Sequence, residues 1–470
     1  MDAIPISRDD FSFWAAGPDA QPGAPLDGDA RADIVVVGGG FAGLSAAYHL
    51  VRARPDLDIV VLESNRVGSG ASGRNTGMLG PRVGGTIVDL CRRYGRDEAR
   101  RLYQASIDAV RQVKALVAEE GIACELEETR QVKGAITRGH AAALKTEAQL
   151  LEALGFAAPL YDEGAMARIS PVPYRAGLCY PESALLNPLR LCRELKRIVL
   201  ERGVRVYERT VVERVVPGQP ATIVHRSGTV KAGLTVLATN AYTAQLGFMR
   251  GRVIPIQTHV MQTAPLSPAQ LGRLNWTGRT PFFETGRLFN YFRLTADDRI
   301  VFGGGRPVYA AADNDRRNGA TDVADPSVWQ AQARVFATRF PALRDVSIGH
   351  TWAGTVAMTL DHAPVVGQVT HSPGVFFAGG WNGHGVAMAT ASGATIADCV
   401  LGRRSARTTF PWVRGDAPRL AIDDPVRAFG LSVYLASLGL RDRLDRLADR
   451  IRSGSDRPRG HEEMTWTSGH

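Results

Sequence analysis

Gly38, Gly40 and Gly43 stand in DIVVVGGGFAGLSAAYHL with the spacing GxGxxG. At this spacing the first glycine allows a tight turn. The second lets backbone approach a diphosphate, and the third lets a helix pack closely on the preceding strand. Phe41 and Ala42 open that helix, whose free N–H groups and positive dipole end face the phosphates. Glu63 follows about 20 residues on, where a carboxylate accepts both ribose hydroxyls and repels a 2′-phosphate. The chemistry is dinucleotide binding with NADP disfavoured. The fingerprint alone does not separate NAD from FAD.

The next stretch, GSGASGRNTGMLGP over 68–81, holds five glycines in fourteen residues. A loop this bare must admit something that runs on past the adenosine, as a flavin does. Gly70, Ala71 and Gly77 leave the backbone open. Ser64, Ser69, Ser72, Arg74, Asn75 and Thr76 supply donors to phosphate and ring. A third strand–turn–helix, GVFFAGGWNGHGVAMATASG, carries Gly379, Gly380, Gly383 and Gly385. Free N–H groups at a helix start stabilise the negative charge of a reduced flavin. Three such turns in this order point to FAD.

Trp381, Asn382 and His384 project from the third turn and are expected beside the flavin. His384 either stabilises reduced flavin, takes an amine proton, or only shapes the turn. Tyr291 and Arg293 alternate on one strand. Tyr291 faces pocket or core. Arg293 meets a substrate carboxylate or makes a surface salt bridge. His259 reads as a satisfied strand residue, and Asp361 and His362 as a structural turn before Pro364. Five scattered cysteines form no CxxC, which argues for reduced thiols and against disulfides or a zinc site. No metal site is expected.

The elements that position these residues are legible in outline. Ile34–Val37 is a buried strand, a helix runs from Ala42 to Arg54, and Asp58–Glu63 is a second strand; this βαβ start implies a parallel sheet. Residues 86–155 read as mostly helical. Asn187 with Pro188 marks a helix start, closed by Gly203. RLFNYFRLT and RIVFGGG read as an antiparallel pair. The expected fold class is α/β. A Rossmann-like FAD-binding domain (33–85, 185–250, 353–405) interleaves with an α+β substrate domain (86–184, 251–352) whose sheet is mainly antiparallel. Residues 1–32 form an irregular arm pinned by Phe11, Phe13 and Trp14, and 406–470 a helical extension and tail. In that extension Leu440, Leu444, Leu447 and Ile451 make one apolar stripe. It is read as packing on the body, with a partner or membrane-surface contact as the alternative.

The chain has 470 residues, more than one core accommodates. Its net charge of +9 is spread among acids, which argues against nucleic acid and for solvated surface. No apolar run reaches membrane-span length and no secretory signal is visible, so the expected compartment is the cytoplasm.

The tokens VVGGGFAGLSAAYHL, GASGRNTG, LNPLRL, VLATNAYT, YFRLTADDRIVFGGG, WAGTVAMTLDHAPVVG and WNGHGVAMA together resemble the FAD-dependent amine and amino-acid oxidoreductases related to D-amino-acid oxidase, glycine oxidase and sarcosine oxidase. Within that family they resemble the γ-glutamylputrescine oxidoreductase-like branch. The resemblance implies oxidation of a C–N bond of a primary or secondary amine to an imine that hydrolyses, with O2 as acceptor. A dehydrogenase serving a quinone or carrier protein, or a flavin subunit of a larger complex, is the alternative. Carried over, Val212 places backbone N–H and C=O at the adenine. Thr239 and Asn240 lie near the cofactor, where relatives more often have Gly at 240; Asn tolerates left-handed backbone. Covalent relatives present His or Cys where this chain has Arg74–Asn75 and Ala357–Met358, so FAD is expected to be non-covalent. Val356 stands where α-amino-acid enzymes carry a carboxylate-binding Arg, and Val301 where a monomeric sarcosine oxidase carries an oxygen-activating Lys. Neither substrate nor oligomeric state follows from these residues.

Overall fold

The computed structural model describes residues 12–15, 22–310 and 326–455. Phe11 lies outside them, as do 456–470 of the tail.

Apolar β-branched runs build the first sheet. Ile59–Leu62, Ala30–Val37, Gly228–Leu237 and Val375–Gly379 lie side by side in parallel, with Arg205–Tyr207 parallel beyond Ile59–Leu62. Burial at its centre is complete: Val35, Val36, Val60 and Val61 have no exposed surface, as a sheet covered on both faces requires. Val365–Gln368 closes one edge antiparallel, and the hairpin Val212–Val216/Ala221–His225 attaches to Gly228–Leu237. The helix Phe41–Ala53 packs on this sheet through Gly43. A Cβ at Gly43 would lie 2.0 Å from the Gly38 carbonyl oxygen, so only glycine fits.

The second sheet has ten strands among the described residues and is antiparallel except where Phe282–Glu284 runs parallel to Glu127–Ala135. One face carries Val132, Phe282, Phe292 and Phe302 packed with Phe336 and Phe340. Phe336 lies on the helix Pro326–Arg339 and Phe340 directly follows it. The other face turns toward the first domain. The expected pair of strands is present as Asn290–Leu294 against Ile300–Gly304, with Tyr291 opposite Gly303 and Arg293 opposite Val301.

The stretch 86–155 is mostly helical, as expected, in Ile87–Tyr94, Arg96–Glu119 and Arg138–Ala153, but the strand Glu127–Ala135, central in the second sheet, lies between the last two helices. Its inward face carries Gln131 and Lys133, so it lacks the apolar alternation that signals a strand. The domain crossings also shift, since Met78–Leu79 and all of Ile348–Met358 belong to the second sheet. Finally, the stripe of Leu440, Leu444, Leu447 and Ile451 does not pack on the body; each is more than half exposed. The helix Asp424–Ser455 attaches through its other face, where Asp442 accepts from the backbone N–H groups of Arg287 and Leu288.

The helix start at Asn187 forms as its residues dictate. The Asn187 side chain accepts from the Arg190 N–H at 3.1 Å, Pro188 occupies the first turn, and Gly203 adopts φ +86° after the end. Of the arm, Trp14 is buried and donates through Nε1 to the Asn75 carbonyl at 2.8 Å.

Candidate active site

The three glycine turns and the end of Ile348–Met358 enclose one crevice. The first turn contributes Gly38, Gly40, Phe41 and Ala42. The Gly40 cap of the helix makes no side-chain cap bond, so its first-turn N–H groups are available to a ligand. Phe41 N–H is the exception and donates to Ser72 Oγ at 3.0 Å, tying the first turn to the second. A Cβ on Gly40 would meet that same hydroxyl oxygen at 2.7 Å, whereas one on Gly70 or Gly383 would meet nothing within 4 Å. Those two backbones are open on the crevice.

Glu63 is buried at its edge. Oε2 accepts from Gly39 N–H at 2.7 Å, and Oε1 from Asn65 N–H at 3.0 Å and from Ser64 and Ser69 hydroxyls. Burial pushes the carboxyl above its usual range, and the four donors oppose that shift. Oε2, with a single donor, retains a lone pair for a hydroxyl.

The second loop is only partly open. Ser69, Gly70, Ala71, Ser72, Arg74 and Asn75 line the crevice. Arg74 is also a strut: Nε donates to the Ser69 carbonyl at 2.7 Å and Nη1 to the Ala353 carbonyl at 2.9 Å. Asn75 folds the loop on itself, donating to Ala71 and Ser72 carbonyls and accepting from Gly77 N–H. Thr76 and Gly77 lie behind the loop, outside the crevice.

Val212, Thr239 and Asn240 line the crevice. Asn240 takes a left-handed φ of +44°. Of the third turn, Trp381, Gly383 and Gly385 line the crevice, but Gly379, Gly380, Asn382 and His384 do not. Asn382 braces the turn instead: its Oδ1 accepts from Thr359 N–H at 2.9 Å and its own N–H donates to Ala357. His384 caps the helix Gly385–Val400. Burial, with Arg82 and His362 nearby, holds its imidazole well below the usual range, so it is neutral at pH 7.

Arg293 does neither thing expected of it. Its side chain is buried, and Nη1 donates to the carbonyls of Thr76 at 3.1 Å and Leu186 at 2.9 Å. The guanidinium lies 5.4 Å from the Trp14 ring, and burial pulls its pKa down to about 10. It buttresses the second glycine loop from behind. Tyr291 is half-buried on the sheet face that turns toward the crevice, the face shared with Val260, Trp352 and Gly354. A Cβ on Gly303 would lie 2.3 Å from the Tyr291 ring, so Gly303 lets that ring lie flat. Burial pushes its hydroxyl up to about 12. His259 sits on the opposite face, against Trp329 at 5.1 Å, and Asp361 is ion-paired with Arg414 at 2.6 Å.

The same sheet face carries residues that sequence reasoning missed. Phe283 is paired with both Tyr291 and Lys133. Lys133 and Glu147 form a buried ion pair at 2.7 Å, and Tyr180 donates to Glu147 at 3.0 Å. Arg82 lies 5.6 Å over the Phe283 ring, half-buried and without an ion pair among the described residues. Arg82 stands two residues beyond the last glycine of the second loop, which was the only available signal. Asn65, Tyr242 and Gln245 on the crevice wall carried none.

The donor set fits FAD. Uncapped N–H groups and serine hydroxyls suit two phosphates, Glu63 suits the ribose, and the open Gly70 and Gly383 backbones suit a planar ring.

The family described as FAD dependent oxidoreductase matches residues 33–399. A γ-glutamylputrescine oxidoreductase of Escherichia coli (strain K12) is 30% identical over 446 residues, covering 92% of this chain and 98% of the relative. A sarcosine oxidase subunit beta of Rhizobium meliloti (strain 1021) is 24% identical, covering 77% and 82%. The crystal structure of glycine oxidase from Geobacillus kaustophilus superposes with a TM-score of 0.68 at 20% identity, covering 82% of this chain and 98% of that one. That likeness is one of fold.

Proposed function

Because the chain belongs to the family of FAD-dependent oxidoreductases, we propose that it oxidises the C–N bond of a primary or secondary amine to an imine that water hydrolyses, with non-covalent FAD and O2 as acceptor. The observation that carries this reading is the convergence of three glycine turns on one crevice, walled by Thr355, Val356 and Ala357 of the second sheet.

Bound FAD supplies a two-electron acceptor. The rest falls to the protein. An alkylamine must be neutral to react. The aromatic wall of Tyr291, Phe283 and Trp381 favours that form by desolvation, without a dedicated base. His384, neutral and outside the crevice, shapes the turn that starts the helix Gly385–Val400. The start of the helix Gly385–Val400 directs N–H groups toward the crevice and favours negative charge there. Arg82, over Phe283 and without an ion pair among the described residues, suits a carboxylate on the substrate away from the reacting amine, in keeping with a γ-glutamylputrescine-like or N-substituted amino-acid substrate. No Cys or His lines the crevice among the described residues, which supports non-covalent FAD.

The test is the absorbance spectrum before and after acid precipitation, followed by anaerobic titration with amines including γ-glutamylputrescine. The expected result is a yellow supernatant, bleaching by an amine, and hydrogen peroxide on re-aeration. Colour retained in the pellet overturns non-covalent binding. A flavin that no amine bleaches overturns the amine reading. Bleaching without peroxide moves the acceptor from O2 to a quinone or carrier protein.

A further inference from the structure

The helix Asp424–Ser455 lies beyond the residues that the family matches. Its two faces are sharply divided. Leu435 and Asp442 are buried against the body. Asp442 and Asp445 pair with Arg287, and Asp449 accepts from Arg138 N–H. The acids are therefore consumed inward. On the opposite face Val426, Phe429, Val433, Leu440, Leu444, Leu447 and Ile451 are between 53% and 73% exposed. Spacings of three, four and seven residues keep them on one stripe about 38 Å long at 1.5 Å per residue. Arg441, Arg443 and Arg450 flank it, exposed and without an ion pair among the described residues.

We propose that this helix seats the protein on an anionic phospholipid surface, its apolar stripe in the acyl boundary and its flanking arginines on the headgroups. The charge pattern decides the occupant. A second copy would bring the same stripe with the same arginine borders, setting cation against cation. An anionic lipid surface complements both features at once. The helix is too polar to cross a bilayer: no described helix is long and apolar enough to span one. It lies on the surface instead.

Flotation of the FAD-loaded full chain with vesicles tests this. Wild type is expected to float with mixed phosphatidylcholine–phosphatidylglycerol vesicles and to remain behind with phosphatidylcholine alone. Leu444→Asp/Leu447→Asp is expected to lose at least about tenfold in partitioning, and Arg443→Glu/Arg450→Glu to lose flotation while retaining bound FAD. The second variant changes only exposed side chains, so it reports even if the first folds poorly. Wild type that never floats overturns the proposal. So does flotation with phosphatidylcholine alone that Arg443→Glu/Arg450→Glu leaves unchanged. A dimer on sizing that Leu444→Asp/Leu447→Asp converts to monomer, without flotation, gives the stripe to a second copy and overturns it as well.

Discussion

Asn240 Oδ1 accepts a hydrogen bond from Gly380 N–H at 3.1 Å, tying the turn after Gly228–Leu237 to the third glycine turn. Asn240 reaches it from a left-handed backbone, which Asn tolerates better than other side chains. Asn240→Gly keeps the backbone and loses the tie. It is expected to weaken FAD binding about fivefold, the worth of one hydrogen bond near 1 kcal/mol. Asn240→Ala adds strain and is expected to bind more weakly still. Fluorescence titration of apoprotein with FAD measures both; three equal affinities would show that the tie contributes nothing.

Glu63→Gln replaces one acceptor oxygen by an NH2 group. That group then faces the Gly39 or Asn65 N–H, and it cannot accept from a ribose. FAD affinity is expected to fall about tenfold or more. The same titration checks it, and unchanged affinity would remove Glu63 from the cofactor site.

Arg293→Met strips donors from the Thr76 and Leu186 carbonyls in a dry setting. The expected loss of stability in urea is about 2–4 kcal/mol, with KM for the amine changed little in the FAD-saturated enzyme. A raised KM with an unshifted urea midpoint would return Arg293 to the role of substrate anchor.

Arg82→Gln should act on substrate. For an amine bearing a carboxylate, KM is expected to rise at least about tenfold, the worth of a charge-assisted hydrogen bond, with kcat nearly unchanged. For a matched amine without the carboxylate neither should move. Equal effects on both amines would argue against an ionic contact at Arg82.

His384 provides a pH signature. Its folded pKa lies below the unfolded value, so below about pH 6.5 the unfolded chain binds the extra proton. The neutral-His384 contribution is full above that pH and declines as pH falls toward the folded pKa. Thermal melts are expected to show His384→Gln losing less stability than wild type between pH 7 and 5. Parallel curves would show that His384 is not held neutral.

The parallel core, the Asn187 cap and the glycine turns were legible because each is encoded within a few neighbouring residues. GxGxxG needs only a strand, a turn and a helix in succession. The strand Glu127–Ala135 was not legible, because its inward Gln131 and Lys133 are accommodated by Glu147, Tyr180 and Gly80, residues distant in sequence. Arg293 misled for the same reason: alternation on a strand says which side it faces, but not that the Thr76 and Leu186 carbonyls wait there.

The amino-acid sequence by itself determined the dinucleotide fingerprint, the order of the three glycine turns and the periodicity of the last helix, since each depends on local backbone geometry. Tertiary structure decided which donors remain open after the loops satisfy one another, that Arg82 lies over Phe283 without an ion pair among the described residues, and which side of the last helix faces out. Those outcomes turn on competition for partners. Asp442 of that helix binds Arg287 and the backbone beside it, and with Asp445 on Arg287 and Asp449 on the Arg138 N–H these long-range contacts leave the leucine stripe facing solvent.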